Sequence, residues 1–246
     1  MSSARTLPRA GVGMVIALGV SLVASQVADG ASNTAYNPKV DPEKFVARVD
    51  NPYLPLIPGT RWVYEGDTDS GRERIVVEVT DQTHAVLGVP AVVVHDQAFV
   101  DGELVEDTFD WFAQDRTGNV WYLGEATQEF EQGKPTTTKG SWQAGVKGAK
   151  PGIAMRAHPR PGRSYRMEYL KGEAEDEATI LDVDAKGSVP YGGFSNAVKT
   201  KDFTKLEPNL VEHKFYAPGI GLVLEKTLRG GSGRIELVEY TLPPGG

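Results

Sequence analysis

Between residues 61 and 242, short runs of residues alternate between apolar and polar, and clusters of glycine, proline, asparagine and aspartate separate the runs. Successive side chains of a β-strand point to opposite faces of a sheet, so this period of two indicates strands joined by turns. The even spacing predicts a mainly β fold, a single large antiparallel sheet that is curved or closed into a partial barrel. Outside the central region the predicted strands are Arg61–Glu65, Glu73–Thr80, Ser164–Tyr169, Ala178–Val183, Ala197–Phe203, Val211–Tyr216, Leu222–Leu228 and Arg234–Leu242.

One departure from the strand pattern lies near the start of the domain. Asp41 suits the cap of a helix, and Pro42 suits its first position, where a missing N–H group costs nothing. Asn51-Pro52 disfavours helical backbone. The segment therefore predicts one short N-terminal helix that ends near Val49.

The stretch from Asp107 to Glu125 predicts a β-hairpin that carries aromatic side chains on both faces. Its turn is Asp115-Arg116-Thr117-Gly118-Asn119, in which Gly118 can take a positive φ at no steric cost. This turn sets Phe112 opposite Tyr122.

A second turn, Asp101-Gly102, adds a third strand and sets His95 opposite Thr108. The apolar face of these strands, which we assign to the core, carries Val92, Val94, Ala98, Val100, Val105, Phe109, Trp111, Trp121 and Leu123. The mixed face carries His95, Gln97, Glu106, Asp110, Phe112 and Tyr122.

One pair conflicts with this register. Asp96 and Asp107 lie directly opposite each other on the predicted core face, where like charges are destabilising. A position at the sheet margin, a β-bulge that shifts the register, or a bound cation would each resolve the conflict.

His95 is the candidate catalytic residue of the mixed face. It lies diagonal to Glu106 and Asp110, and a carboxylate there would orient the imidazole and raise its pKa. These three residues form a candidate acid/base site of a hydrolase or isomerase. The alternative is a polar sheet face with a structural histidine.

His213 allows the same two interpretations, as a partner of His95 across the sheet or as a structural histidine near the Pro218-Gly219 turn.

The four histidines lack paired ligand spacing and no serine lies in a G-x-S-x-G sequence, so neither a zinc site nor the familiar hydrolase signature is predicted. The acidic run Glu173–Glu177 lacks the spacing of a calcium loop and indicates a solvated loop. No metal and no cofactor is expected.

From Lys134 through Arg166 the chain carries eight cations and no acidic residue, and an acid-rich run begins at Glu168. Residues 140–162 contain five glycines and three prolines without a clear period, which predicts a long loop. Its positive field would capture an anionic partner such as lipid headgroups or an acidic wall polymer, or would pair with the acid-rich run. The candidate ligand-binding residues are Phe112, Tyr122, Trp142, Lys147, Lys150, Arg156, Arg160 and Arg163.

Residues 1–30 have the composition of a secretory signal peptide, with Arg5 and Arg9 before an apolar run from Gly11 to Ala24. A retained signal anchor is the alternative. The chain has no cysteine, which excludes disulfides and cysteine lipidation. A formal net charge of −7 gives no indication of nucleic-acid binding.

The rest of the chain is expected to divide into a flexible lead-in (31–40), a single β-rich domain (41–242) and a disordered tail (243–246). With the signal removed, no integral membrane domain is expected. We therefore expect a secreted, periplasmic or cell-wall-associated protein.

Four motifs carry a resemblance to a known group of proteins. They are NPYLPLIPGTRWVYE at 51–65, DWFAQD at 110–115, VWY at 120–122 and EHKFYAPGIG at 212–221. In these motifs the chain resembles a family of exported bacterial β-rich proteins of unassigned function. The resemblance implies export and a β-rich fold, and it implies no activity or site.

Three functions remain open from the sequence. The first is an exported, non-enzymatic binding module of the cell envelope or extracellular space. It would hold an apolar or amphipathic, possibly anionic ligand on a concave aromatic face, with Trp142 and the basic loop at the mouth. The second is the hydrolase or isomerase built on His95. The third is a structural or partner-docking envelope protein that uses the sheet edge near Pro135.

Overall fold

The computed structural model describes residues 36–243, which form eighteen β-strands and a single turn of 3-10 helix. No helix in this part of the chain is long and apolar enough to span a membrane. The strands are β1 (Phe45–Val46), β2 (Val49–Asn51), β3 (Leu54–Leu56), β4 (Arg61–Thr68), β5 (Gly71–Val86), β6 (Val89–Val100), β7 (Glu103–Asp115), β8 (Val120–Glu131), β9 (Lys134–Thr137), β10 (Trp142–Gln143), β11 (Lys150–Met155), β12 (Ser164–Arg166), β13 (Glu168–Tyr169), β14 (Asp176–Val189), β15 (Gly192–Thr204), β16 (Val211–Ala217), β17 (Gly221–Arg229) and β18 (Gly233–Thr241).

Antiparallel pairing joins most strands in the spatial order β12-β14-β15-β16-β17-β18-β4-β5-β6-β7-β8-β11-β13. Strands β1, β9 and β10 pair with β7 or β8 beside this path, and β2 and β3 form a separate two-stranded sheet. The two end strands, β12 and β13, are separated in the chain only by Met167, whose N–H donates to the Asp176 carbonyl at 2.8 Å. One short stretch of chain therefore borders both ends of the sheet, which is nearly closed as a barrel. The predicted single large antiparallel sheet is confirmed.

The predicted N-terminal helix is wrong. Asp41 and Pro42 occupy the cap and the first position as expected, but helical backbone ends at Lys44 after one 3-10 turn. Phe45 and Val46 then pair with β7 as a short strand. Because the first turn of a helix is costly to form, a segment this short follows the hydrogen bonds that the sheet offers.

The turn of the central hairpin is confirmed. The Asp115 N–H donates to the Asn119 carbonyl at 2.9 Å, and Gly118 has a φ of +91°, which glycine adopts without steric cost. Phe112 lies opposite Tyr122 as predicted.

Close to the Asp101-Gly102 turn, a β-bulge changes the register between β6 and β7. The pairing shifts beside Phe99, so that His95 lies opposite Phe109 rather than Thr108. Thr108 instead lies opposite Asp96, and the predicted conflict between two aspartates is avoided. One extra residue on a strand turns every later side chain of that strand to the other face.

The predicted faces of β7 are consequently inverted. Phe109 and Trp111, assigned to the core, lie on the outer face, and Phe109 is 38% exposed. Asp110 and Phe112, assigned to the mixed face, are buried inside the sheet. The sequence pattern is correct about alternation, but the bulge decides which set faces inward.

Residues 140–162 are not the predicted long loop. They contain β10 and β11, and β11 pairs with β8 on one side and β13 on the other. The residues from Pro151 to Met155 are all buried. The apolar run Ile153-Ala154-Met155 supplies side chains to the core, so this segment helps to close the sheet.

The two ends of the domain lie partly outside the described residues. The signal peptide prediction falls on residues 1–30, and most of the predicted tail also lies beyond residue 243. Tyr36, within the predicted lead-in, is docked on the sheet, since its hydroxyl donates to the Pro151 carbonyl at 2.7 Å.

Candidate ligand-binding surface

Four basic side chains lie opposite one another across four adjacent strands. Lys201 of β15 lies opposite His213 of β16. His213 lies opposite Lys226 of β17, which in turn lies opposite Arg234 of β18. Because neighbouring strands are about 4.8 Å apart, the row spans about 14 Å. We use the name lysine face for the outer-face residues Lys199, Lys201, His213, Phe215, Lys226 and Arg234.

The alternation of side chains along the strands places this row outside the sheet. On β15, Thr200 and Asp202 are buried in the interior. Lys199 and Lys201 alternate with them, so they point outward and are half-buried. On β16 the buried residue Lys214 follows His213, which places the histidine on the outer face.

Phenylalanine rings hold the lysine side chains against this surface. The ammonium groups of Lys199 and Lys226 lie 5.4 and 5.9 Å from the centroid of the Phe215 ring. The ammonium of Lys201 lies 4.8 Å from the centroid of Phe203. A cation–π contact at an exposed site contributes about 0.5–1 kcal/mol and leaves the positive charge in place.

The lysines of the face have no acidic partner. Within residues 36–243, Lys199, Lys201 and Lys226 form no ion pair. Asp182 lies opposite Lys199, but its carboxylate accepts from the next two backbone N–H groups at 2.7 and 3.0 Å. Among the described residues, Arg234 is the one member of this row that has an ion-pair partner. Its guanidinium lies 2.5 Å from a carboxylate oxygen of Glu236, on the same strand.

The mutual repulsion of these charges is visible in the pKa values. Burial, followed by the positive charges of the three nearby lysines, lowers the pKa of His213. Burial, followed by the charges of Arg234 and Lys199, lowers the pKa of Lys226. Like charges directly opposite each other destabilise a sheet, so the row lowers stability as long as no anion neutralises it.

The inner face of the same strands has the opposite character. Lys214 is 4% exposed, and its ammonium lies 3.1 Å from a Glu225 oxygen. Asp202 and Glu212 approach it at 3.9 and 4.0 Å. Burial lowers the pKa of a lysine, but these carboxylates outweigh it and raise the pKa of Lys214 well above its usual value.

A second group of acids lies inside the other half of the sheet. The Tyr122 hydroxyl is 2.6 Å from an oxygen of Asp110 and 2.9 Å from an oxygen of Glu125. Burial raises the pKa of Asp110 to about 8, so this carboxyl group holds a proton at neutral pH. Burial also raises the pKa values of Glu125 and Glu168 well above their usual range. No group of three or more His, Cys, Asp or Glu side chains in the described part of the chain could hold a metal ion.

The structure does not bring the predicted catalytic residues together. His95 lies on the outer face, stacked on Phe109 with the ring centroids 4.4 Å apart. Its Nε2 atom is 2.6 Å from Asp107 Oδ1. Asp110 and Glu106 point into the interior, because the bulge reverses which side chains of β7 face inward. The Asp110 carboxyl group lies beside the Tyr122 hydroxyl. Asp107 therefore takes the orienting position that the predicted register gave to Asp110.

The predicted aromatic ligand-binding residues are together, but in the core. The rings of Phe112 and Tyr122 stack with centroids 4.8 Å apart, and Trp142 meets Tyr122 edge-on at 5.1 Å. Their side chains are between 0% and 4% exposed. These rings stabilise the interior and offer no surface to a ligand.

The predicted cations of the basic segment do not converge on a mouth. Lys150 and Arg156 each lie over a tyrosine ring, at 5.8 and 5.0 Å from its centroid. Lys147 is exposed in the turn before β11, and Arg160 and Arg163 are exposed between β11 and β12. Their positive charge is therefore distributed along the chain rather than focused on one site.

Sequence reasoning did not find the lysine face. The available signals were the alternating Lys199-Thr200-Lys201 and the Ala217-Pro218-Gly219 turn, which joins β16 to β17. A plain hairpin from that turn would set His213 opposite Glu225. A bulge at Val223 sets it opposite Lys226 instead, and no local signal in the sequence marks that bulge.

Comparison with known proteins gives distant similarities. No protein-family model matches this chain, and no curated protein matches it significantly. A solved structure from Bacteroides fragilis, described as an exported protein with a YmcC-like fold, is 16% identical with a TM-score of 0.45. A solved structure from Parabacteroides distasonis, described as a lipoprotein, is 13% identical with a TM-score of 0.41. Each comparison covers 77% of this chain and 98% of the other, and both are too distant to assign a function.

Proposed function

We propose that this chain is an exported, non-enzymatic binding module that captures an anionic polymer of the cell envelope on the lysine face. The observation that carries the proposal is the lysine face, on which Lys199, Lys201 and Lys226 form no ion pair within the described residues. A bound anion would remove the repulsion within the row and would gain three charge interactions at once.

The proposal keeps the anionic part of the sequence-based hypothesis and moves the site. The aromatic residues first assigned to the ligand are buried, so charge rather than an apolar surface selects the partner. The acids near the face support this selectivity, because Asp202, Glu212 and Glu225 point inward and leave the outer surface positive.

The geometry favours a linear polymer over a membrane surface. Lys201, His213, Lys226 and Arg234 form a line with one basic group per strand, and Lys199 lies beside this line on β15. Such a line matches a chain that repeats its charge at regular intervals. Attraction to an anionic bilayer typically relies on clusters of mobile basic residues beside a membrane anchor. The lysines of this face are instead held against phenylalanine rings.

The test is the affinity for dextran sulfate, measured by isothermal titration calorimetry, with uncharged dextran as the matched polymer. Replacing Lys201 and Lys226 with glutamate should weaken binding at least about tenfold, since each basic residue contributes about 1 kcal/mol toward a polyanionic surface. Added salt should weaken the binding of the parent protein for the same reason.

The control is a double variant with the same change in charge, Lys39→Glu with Lys171→Glu, at two exposed positions outside the face. We expect its affinity to stay within about twofold of the parent, because distant surface charges are screened. An equal loss of affinity in both double variants would show that binding depends on the net charge of the protein and not on the lysine face. Binding to anionic lipid vesicles without binding to dextran sulfate would identify a membrane surface as the partner and refute the polymer.

A further inference from the structure

We infer that anion capture on the lysine face is coupled to protonation of His213, so that the ligand is held more tightly at mildly acidic pH and released toward neutral pH. This inference rests on the proposed function, because it concerns the regulation of the same surface.

His213 occupies the middle of the row and is surrounded by positive charge. On β15, Lys201 lies opposite it and Lys199 lies one diagonal step away. On β17, Lys226 lies opposite it. Protonation of the imidazole would therefore place a fourth cation among three others.

The carboxylates on the neighbouring elements are engaged by other groups or point to the inner face. One strand beyond Lys226, the carboxylate of Glu236 is engaged by Arg234 at 2.5 Å. On β14, the Asp182 carboxylate is bound to backbone N–H groups. The other nearby carboxylates surround Lys214 on the inner face of the sheet.

The environment of His213 also differs from that of the histidines on β5 and β6. His84 Nε2 lies 3.1 Å from the Gln143 side-chain oxygen, and His95 Nε2 lies 2.6 Å from Asp107. The His213 ring makes no hydrogen bond to any of residues 36–243, so its charge depends on the lysines and on whatever binds to them.

Linkage gives the direction of the effect. With the face free, burial and the three lysines lower the pKa of His213, which leaves the imidazole neutral at pH 7. An anion on the row favours the imidazolium and raises that pKa, so binding takes up a proton. Affinity must then rise as the pH falls through the interval between the free and the bound pKa.

The experiment measures the dissociation constant for dextran sulfate at pH 5.5 and at pH 7.5, since the sulfate esters stay ionised at both values. The parent protein should bind at least about fivefold more tightly at pH 5.5. His213→Gln should reduce this ratio to within about twofold, whereas His213→Lys should bind tightly at both pH values. His158→Gln, at an exposed histidine outside the face, should keep the ratio of the parent.

A nuclear magnetic resonance titration of His213 adds a readout that does not depend on affinity. Its pKa should rise when dextran sulfate is present and stay unchanged with uncharged dextran. If His213→Gln keeps the pH dependence of the parent, the proton coupling is wrong while anion binding stands. If the parent protein does not bind dextran sulfate at either pH, the proposed function fails as well.

Discussion

Lys214 and Lys226 lie on adjacent strands of one sheet and have opposite electrostatic environments. Lys214 points inward, where Glu225, Asp202 and Glu212 surround its ammonium, and its pKa is raised well above the usual value despite burial. Lys226 points outward among other cations, and its pKa is lowered, first by burial and then by those charges.

The difference shows that strands β15 to β17 separate charge between the two faces of the sheet. Asp202, Glu212 and Glu225 lie around Lys214 in the interior, whereas Lys199, Lys201 and Lys226 lie on the outer face and form no ion pair within residues 36–243. A purely stabilising arrangement would pair the outer lysines with acids across the strands, because opposite charges there contribute favourably. The unpaired outer lysines are therefore the basis of the proposed binding function, and the inner cluster around Lys214 belongs to the packed interior.

The largest expected effect is a pH dependence of stability that comes from the inner face. Burial raises the pKa of Glu73 and Asp176 to about 7 and that of Asp110 to about 8. The folded protein therefore holds protons that the unfolded chain releases above about pH 4. The contribution of these groups to stability is fully present below that pH, and it is lost as the pH rises through their folded pKa values of about 7 to 8. Urea unfolding should show a loss on the order of 5 kcal/mol between pH 5 and pH 8.

Asp110→Asn is the matched control for this pH dependence. The amide is a neutral isostere of the protonated acid, and its oxygen can still accept from the Tyr122 hydroxyl. The variant should be more stable than the parent at pH 8 and should show a smaller slope. A stability that stays constant or rises between pH 5 and pH 8 would show that the inner acids are ionised.

The second effect compares the two lysines directly. Lys214→Met should lower the free energy of unfolding at pH 7 by about 4 kcal/mol, because buried carboxylates lose their cation. Lys226→Met keeps the aliphatic stem over Phe215 and relieves repulsion, so its effect should stay within about 0.5 kcal/mol. Chemical denaturation measures both, and similar losses in the two variants would remove the distinction between the faces.

The third effect tests which face of β7 is the core. Phe112→Ala should cost about 3 kcal/mol, since the ring is fully buried against Tyr122. Trp111→Ala should cost only about 1 kcal/mol, because this half-buried ring stacks on His84 on the outer face. Denaturant unfolding curves of equal slope allow the two losses of stability to be compared through their midpoints. A larger loss in Trp111→Ala than in Phe112→Ala would support the face assignment made from the sequence.

Much of the fold was accessible from local signals. The alternation of side chains predicted the antiparallel sheet, and the turn around Gly118 predicted its pairing near the loop. The N-terminal helix failed because capping by Asp41 and Pro42 does not outweigh strand pairing by Phe45 and Val46. Residues 140–162 were assigned to a loop because β11 pairs with strands distant in sequence, which leaves no local period.

The candidate site was less accessible, because it depends on pairing between strands. The sequence directed attention to the contiguous basic segment from Lys134 to Arg166, whose cations are distributed over turns and tyrosine rings. The lysine face combines basic residues from four strands, β15 to β18. Such a set has no spacing in the sequence, since only the register brings its members together.

The sequence by itself determined that this chain folds as antiparallel strands with alternating faces, because side-chain direction and turn geometry are local properties of the backbone. Only the tertiary structure decided which face points inward. The shifts beside Phe99 and Val223 each add one residue to a strand, and they set Asp110 inside the sheet and His213 opposite Lys226. A bulge is stable only where both neighbouring strands and the packed interior accommodate it, so its position depends on contacts that no local stretch of sequence contains.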